Sequence, residues 1–169
     1  MPVALAACGG PAEEPEQQAA AAAPEPVLTS NAAPTAVPSG KTLAEGDWQT
    51  TEDGNGARAV FASHEGEPIL TVACTRANRT LTVERAGQLQ PGGQYSIMAG
   101  QPRERFMLPM RQTPSAQPAF ASTVNPQQPI LGAMAMQGST FTFHGPGTQE
   151  IEIPGSSGIM RVVNACLYT

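Results

Sequence analysis

From Trp48 onward, apolar and polar residues alternate in short runs broken by Gly, Pro and Asn, the pattern of strands with one buried face. Residues 57–63 place Ala59 and Phe61 on one side, and residues 69–75 place Leu70, Val72 and Cys74 on one face after the turn Glu65-Gly66-Glu67-Pro68. A tight connection at Ala77-Asn78-Arg79 leads to residues 80–85, where Leu81 and Val83 alternate with polar residues, so these two runs are expected to form a hairpin. Tyr95, Ile97 and Ala99 form another period-two run. Residues 100–118 carry four prolines and read as a long loop or an irregular edge strand. Residues 119–124 predict a strand. A short helix through Ile130, Leu131 and Met134 is predicted to follow, with Asn125 as its cap and Pro126 in its first turn. Residues 140–144 and 149–153 flank Gly145-Pro146-Gly147 as a second hairpin, with Glu150 and Glu152 marking its solvent side. The last segment changes period. Ile159, Val162, Val163, Cys166 and Leu167 fall at i, i+3, i+4, i+7 and i+8, one stripe of a helix.

These elements define a mainly β domain over residues 44–169, a small antiparallel β-sandwich or barrel with a short internal helix and a C-terminal helix. Residues 9–43 differ in composition, with Pro11, Pro15, Pro24, Pro26, Pro34 and Pro38, four Glu and an alanine run at 19–23. So little apolar surface cannot offset the entropy of ordering, and a disordered tether is expected. Its removal leaves about 125 residues, enough for one core.

The formal charge of −5 sits mostly on that tether, since the chain from Lys41 onward carries ten acidic and nine basic residues. Nucleic-acid binding needs a basic face, and none is visible in this balance. Arg103, Arg105 and Arg111 cluster, but with Glu104 among them and prolines on both flanks they read as a solvated loop.

Residues 1–8 end in Leu5-Ala6-Ala7-Cys8, which resembles the lipobox of bacterial lipoprotein signal peptides. The resemblance implies that Cys8 is the acylated first residue of the mature protein. It also implies that residues 1–8 are the remnant of a signal whose basic and longer apolar parts lie upstream of Met1. Acyl chains contribute about 0.8 kcal/mol per buried methylene, so several on Cys8 would anchor the domain to a membrane without a spanning helix. Gly9 rather than Asp after the cysteine favours the outer membrane over the inner one. With Cys8 assigned to lipid, Cys74 and Cys166 remain. An even pair in an exported domain invites a disulfide closing a ring of about 92 residues, with two buried free thiols as the alternative.

Catalytic motifs are scarce. No G-x-S-x-G occurs, and Gly155-Ser156-Ser157-Gly158 better suits the start of a helix. His64 and His144 each end a predicted strand and read as surface turn residues. There is no phosphate-cradling glycine loop, no HExxH and no CxxC. Methionine offers the one soft-metal reading: Met107-x-x-Met110 and Met134-x-Met136 carry thioethers that favour Cu(I). Packing of an aromatic-poor core explains the same residues, so no metal and no cofactor is expected.

The series Trp48, Ala59-Val60-Phe61, Leu70-Thr71-Val72-Ala73-Cys74, Val124-Asn125-Pro126, Leu131-Gly132-Ala133-Met134, Ile153-Pro154 and Arg161-Val162-Val163-Asn164-Ala165-Cys166 resembles a group of small exported proteins and lipoproteins of alphaproteobacteria without an assigned function. The resemblance covers most of residues 48–166. It implies a mostly β domain and a paired-cysteine framework, and brings no catalytic residues. Where relatives of that group carry Asp-Pro and Ser-Arg-Gly-Arg, this chain has Asn125-Pro126 and Met136-Gln137-Gly138-Ser139. The expectation is a lipid-anchored periplasmic domain that binds an envelope protein or glycan or supports the envelope, without catalysis. A Cu(I)-binding protein and an inhibitor of a cell-wall hydrolase are the alternatives.

Overall fold

The computed structural model describes residues 42–114, 117–148 and 150–168; Cys8 and the tether lie outside them. Among the described residues, ten strands form two antiparallel sheets. The larger sheet holds β1 (Asp47–Glu52), β2 (Gly56–Ala62), β3 (Pro68–Thr75), β4 (Thr80–Ala86), β8 (Ala119–Val124) and β7 (Arg111–Gln112), in that order. The smaller holds β10 (Ile151–Pro154), β9 (Thr140–His144), β5 (Tyr95–Ala99) and β6 (Glu104–Leu108). Helices α1 (Pro129–Ala135) and α2 (Ser157–Leu167) complete a β-sandwich-like fold.

Alternation in the sequence becomes two faces because cross-strand partners share a side of the sheet. On the larger sheet Ala57, Cys74, Leu81 and Val124 lie in one register row, and Ala59, Val72 and Val83 in the next. Phe61, Leu70, Arg85 and Phe120 form a third. All except Arg85 are buried in one core. Arg85, itself a member of this third row, donates from Nη1 to the Ile69 carbonyl at 2.7 Å and has its pKa lowered by desolvation.

Two different partners cover that face. The smaller sheet meets it through aromatic rings: Trp48 stacks obliquely on Phe61 and Phe141, and Phe120 on Tyr95 and Phe143, with centroids 5.0–6.5 Å apart. Tyr95 does more than pack. Its hydroxyl accepts from the Gln90 N–H at 2.8 Å and reaches the Pro146 carbonyl at 3.3 Å, while its ring lies so close to Gly145 that a Cβ there would sit 2.1 Å from Cδ1.

The rest of the face, where Ala57 and Ala59 leave room, is covered by α2, which packs on β1 to β4 and on α1. Ser156 caps α2, its hydroxyl accepting from the Gly158 N–H at 3.1 Å. Ile159, Val162, Val163 and Cys166 are buried as the stripe predicts. Cys166 meets Cys74 of β3 in a disulfide, with Cα atoms 5.7 Å apart.

The prolines of residues 100–118 bracket two edge strands rather than one loop, β6 on the smaller sheet and β7 on the larger. The internal helix starts later than predicted. The Asn125 side chain accepts from the Gln127 N–H at 2.9 Å and its carbonyl from the Gln128 N–H at 3.0 Å, closing a turn, so Pro129 becomes the first helical residue. The second hairpin forms as expected, but Glu152 is wholly buried, which corrects its assignment to the solvent side.

A 92-residue ring should stabilise the fold by roughly 4 to 5 kcal/mol less any native-state strain. Cys74→Ser and Cys166→Ser are therefore expected to lose similar stability in denaturant melts, and reduction to loosen α2 first. Peptide mapping without reductant should yield one linked pair; two free thiols in protein from an oxidising compartment would remove the staple.

Candidate functional site

The outward face of the smaller sheet is where the fold gathers chemically distinctive side chains. Its inward positions, Tyr95, Ile97, Phe141, Phe143, Ile151 and Ile153, belong to the core, so the residues between them point outward. Register then sets two rows across β10, β9, β5 and β6. One runs from His144 through Ser96 to Met107; the other runs Glu152, Thr142, Met98, Arg105. Glu150 precedes β10 beside His144, its Oε2 3.1 Å from the imidazole Nδ1.

Glu152 anchors the second row. Arg103, carried in by the loop after β5, donates from Nη2 to Glu152 Oε1 at 2.7 Å and to Thr140 Oγ1 at 3.2 Å, and from Nη1 to Thr142 Oγ1 at 2.9 Å. The Glu152 backbone is held as well: its carbonyl accepts from the Ala44 N–H at 2.7 Å, and its N–H donates to Thr42 at 3.3 Å. Thr42 and Leu43 thus run alongside β10. A carboxylate with no exposed surface needs such partners, because desolvation otherwise outweighs any attraction. The reading of the arginine cluster as a solvated loop holds for exposure but not for the loop: all three arginines are exposed, yet Arg103 is paired with Glu152, Arg105 sits on β6 and Arg111 on β7.

Of the two histidines, only His64 fits the surface-turn reading, loosely beside Asp47 at 3.7 Å. The His144 side chain is 19% exposed and oriented by Glu150, which corrects that reading for it. Ser96 stands directly opposite His144, so a serine, a histidine and a carboxylate occur in sequence across the sheet. Ser96 is only 2% exposed, and a substrate carbonyl has no approach to its hydroxyl in this arrangement.

The methionines picked out by spacing are divided by the fold. Met107 is exposed on β6, whereas Met110, past Pro109, packs against the core. Met134 is fully buried in α1 and Met136 is exposed just after it. Instead the fold brings Met98 and Met107 to the same face as His144. Arg105 shares that face, with Nη2 3.5 Å from Met98 Sδ.

A surface depression of about 420 Å³ lies on the other sheet at the β1–β2 loop. Its charges serve the fold. The Asp53 carboxylate accepts from the Asn55 and Gly56 N–H groups, and Arg76 binds the Asp53 carbonyl and the Glu52 carboxylate. Among the described residues, no three His, Cys, Asp or Glu side chains are grouped to hold a metal ion, and no helix is long and apolar enough to cross a membrane. Comparison with known proteins finds no matching family model, curated protein or solved structure.

Removing one member of a buried ion pair strands the other charge. Arg103→Ala is expected to cost about 3 kcal/mol, the low end of the range because Arg103 keeps 31% exposure. Replacing Arg103 and Glu152 together by Met and Leu should recover most of that loss. Urea melts of the single and double variants decide it; additive losses would show that the pair is not coupled.

Proposed function

We propose that this protein is a lipid-anchored domain of the bacterial envelope that binds a partner or supports the envelope without catalysing a reaction. The observation that carries the reading is the run from Leu5-Ala6-Ala7-Cys8 through a Pro- and Glu-rich tract into a domain closed by a disulfide. The first part supplies an acylation signal and the second a spacer. The third suits an oxidising compartment, where such bonds persist. The alphaproteobacterial resemblance agrees with this placement.

The chemistry of the described surface supports binding over turnover. Ser96 is enclosed, Glu152 is committed to Arg103, and the carboxylate of Asp53 closes a loop. Inhibition of a cell-wall hydrolase is the form of binding that a compact tethered β domain would suit by architecture alone.

The test is acylation. With its complete signal expressed in a Gram-negative host, the protein should incorporate a lipid probe and fractionate with membranes, the outer one in particular, and Cys8→Ser should abolish labelling. A soluble native protein whose intact mass carries no acyl chains would overturn the placement; labelling with inner-membrane fractionation would overturn only the choice of membrane. Crosslinking the acylated protein in intact cells then separates a cell-wall enzyme from an assembly component as partner.

A further inference from the structure

We propose that the outward face of the smaller sheet binds one soft monovalent cation, Cu(I) or its analogue Ag(I), through Met98, Met107 and His144. The three come from three adjacent strands. His144 and Met107 are the cross-strand partners of Ser96 on either side, and Met98 is two residues along from Ser96 on the same face. Met98 is thus diagonal to both, at a Cα separation of about 7 to 8 Å that long side chains bridge. Ser96, the short residue at the centre of this triangle, is 2% exposed and covered by its neighbours, so the metal would be held above it by two thioethers and an imidazole and not in an open hollow.

The donor set selects the ion. Thioethers are soft, and with imidazole they suit Cu(I), whereas hard cations prefer oxygen. Glu150 supplies what a ligating histidine requires behind it: its carboxylate lies 3.1 Å from Nδ1 and orients the ring, so Nε2, enclosed in this structure, is the nitrogen that a metal would reach as the surrounding side chains turn aside. Access comes from the β6 side, where Met107 is 47% exposed on an edge strand. Arg105 opposes binding, because it donates to Met98 Sδ at 3.5 Å and adds positive charge; metal must displace that contact. The site is independent of acylation, so its failure leaves the Cys8 result intact, and a soluble protein leaves the metal result intact.

The experiment uses the full-length chain with Cys8→Ser and the disulfide oxidised, so that no thiol competes. Ag(I) is titrated while the methionine methyl signals are followed by NMR, and Cu(I) is titrated under ascorbate against a chromogenic chelator. Saturation is expected at one equivalent, with the methyls of Met98 and Met107 shifting and that of Met134 unmoved. Met98→Leu, Met107→Leu and His144→Gln should each weaken Cu(I) binding by at least about tenfold, and Glu150→Gln by about tenfold through the imidazole. Arg105→Gln should strengthen it, a result that a purely structural role for these residues would not produce. Thermal melts of the two Leu variants, whose substitutions conserve volume, establish that the fold is kept. Shifts confined to Met136 or Met160, binding without saturation, or affinities unchanged in all three ligand variants would overturn the proposal.

Discussion

The inner face of the six-stranded sheet must be covered, and the four-stranded sheet covers only part of it. Rows beginning at Phe61 find aromatic partners across the sandwich, but the row of Ala57, Cys74, Leu81 and Val124 is buried only because α2 lies over it. A short helix is marginal alone and gains its order from the apolar stripe it docks. The contact between α2 and β3, secured by the Cys74–Cys166 bond, therefore decides whether the largest apolar surface of the protein stays out of water. Residue size follows from this. Alanines at 57 and 59 make room for the helix, and Gly158 lets its first turn approach β1, since a Cβ there would lie 2.2 Å from Thr50 Oγ1.

The smaller sheet faces a different problem, with core on one side and a polar outer side that is itself partly enclosed. Burial of Glu152 and Thr142 there is tolerated because Arg103 supplies hydrogen bonds to both. That arrangement fixes the loop after β5 against β9 and β10. The sheet bearing Met98, Met107 and His144 is thus braced from outside by an ion pair and from inside by Tyr95, Phe141 and Phe143. Side chains on such a braced surface are better preorganised than side chains on loops, which favours ligand binding over adaptive packing.

On the function proposed above, anchoring and binding would place separate demands on the chain. A tether needs only composition, and an acylation signal only a short motif, so both can be carried by residues that contribute nothing to the core. The domain can then keep near-neutral charge and spend its few ionisable groups on folding, as Arg76, Arg103, Glu152 and Asp53 do.

The sequence alone determined the strands whose alternation is strong, the hairpins set by tight turns and the C-terminal helix; it pointed to the pairing of Cys74 with Cys166 but left two free thiols open, and the tertiary structure decided between them. Each rests on local periodicity or on a count. Periodicity assigns residues to sides, but cannot tell whether an outer side is covered, so Glu152 looked solvent-facing until the Arg103 loop was folded over it. Nor does it show that Asn125 is spent closing a turn, which moves the helix start on to Pro129. Spacing along the chain misled for the methionines, because Pro109 carries the chain from one sheet to the other and parts Met107 from Met110. Residues up to 46 positions apart, Met98 and His144, become neighbours through strand register, a property of pairing between distant segments that only the tertiary structure decides.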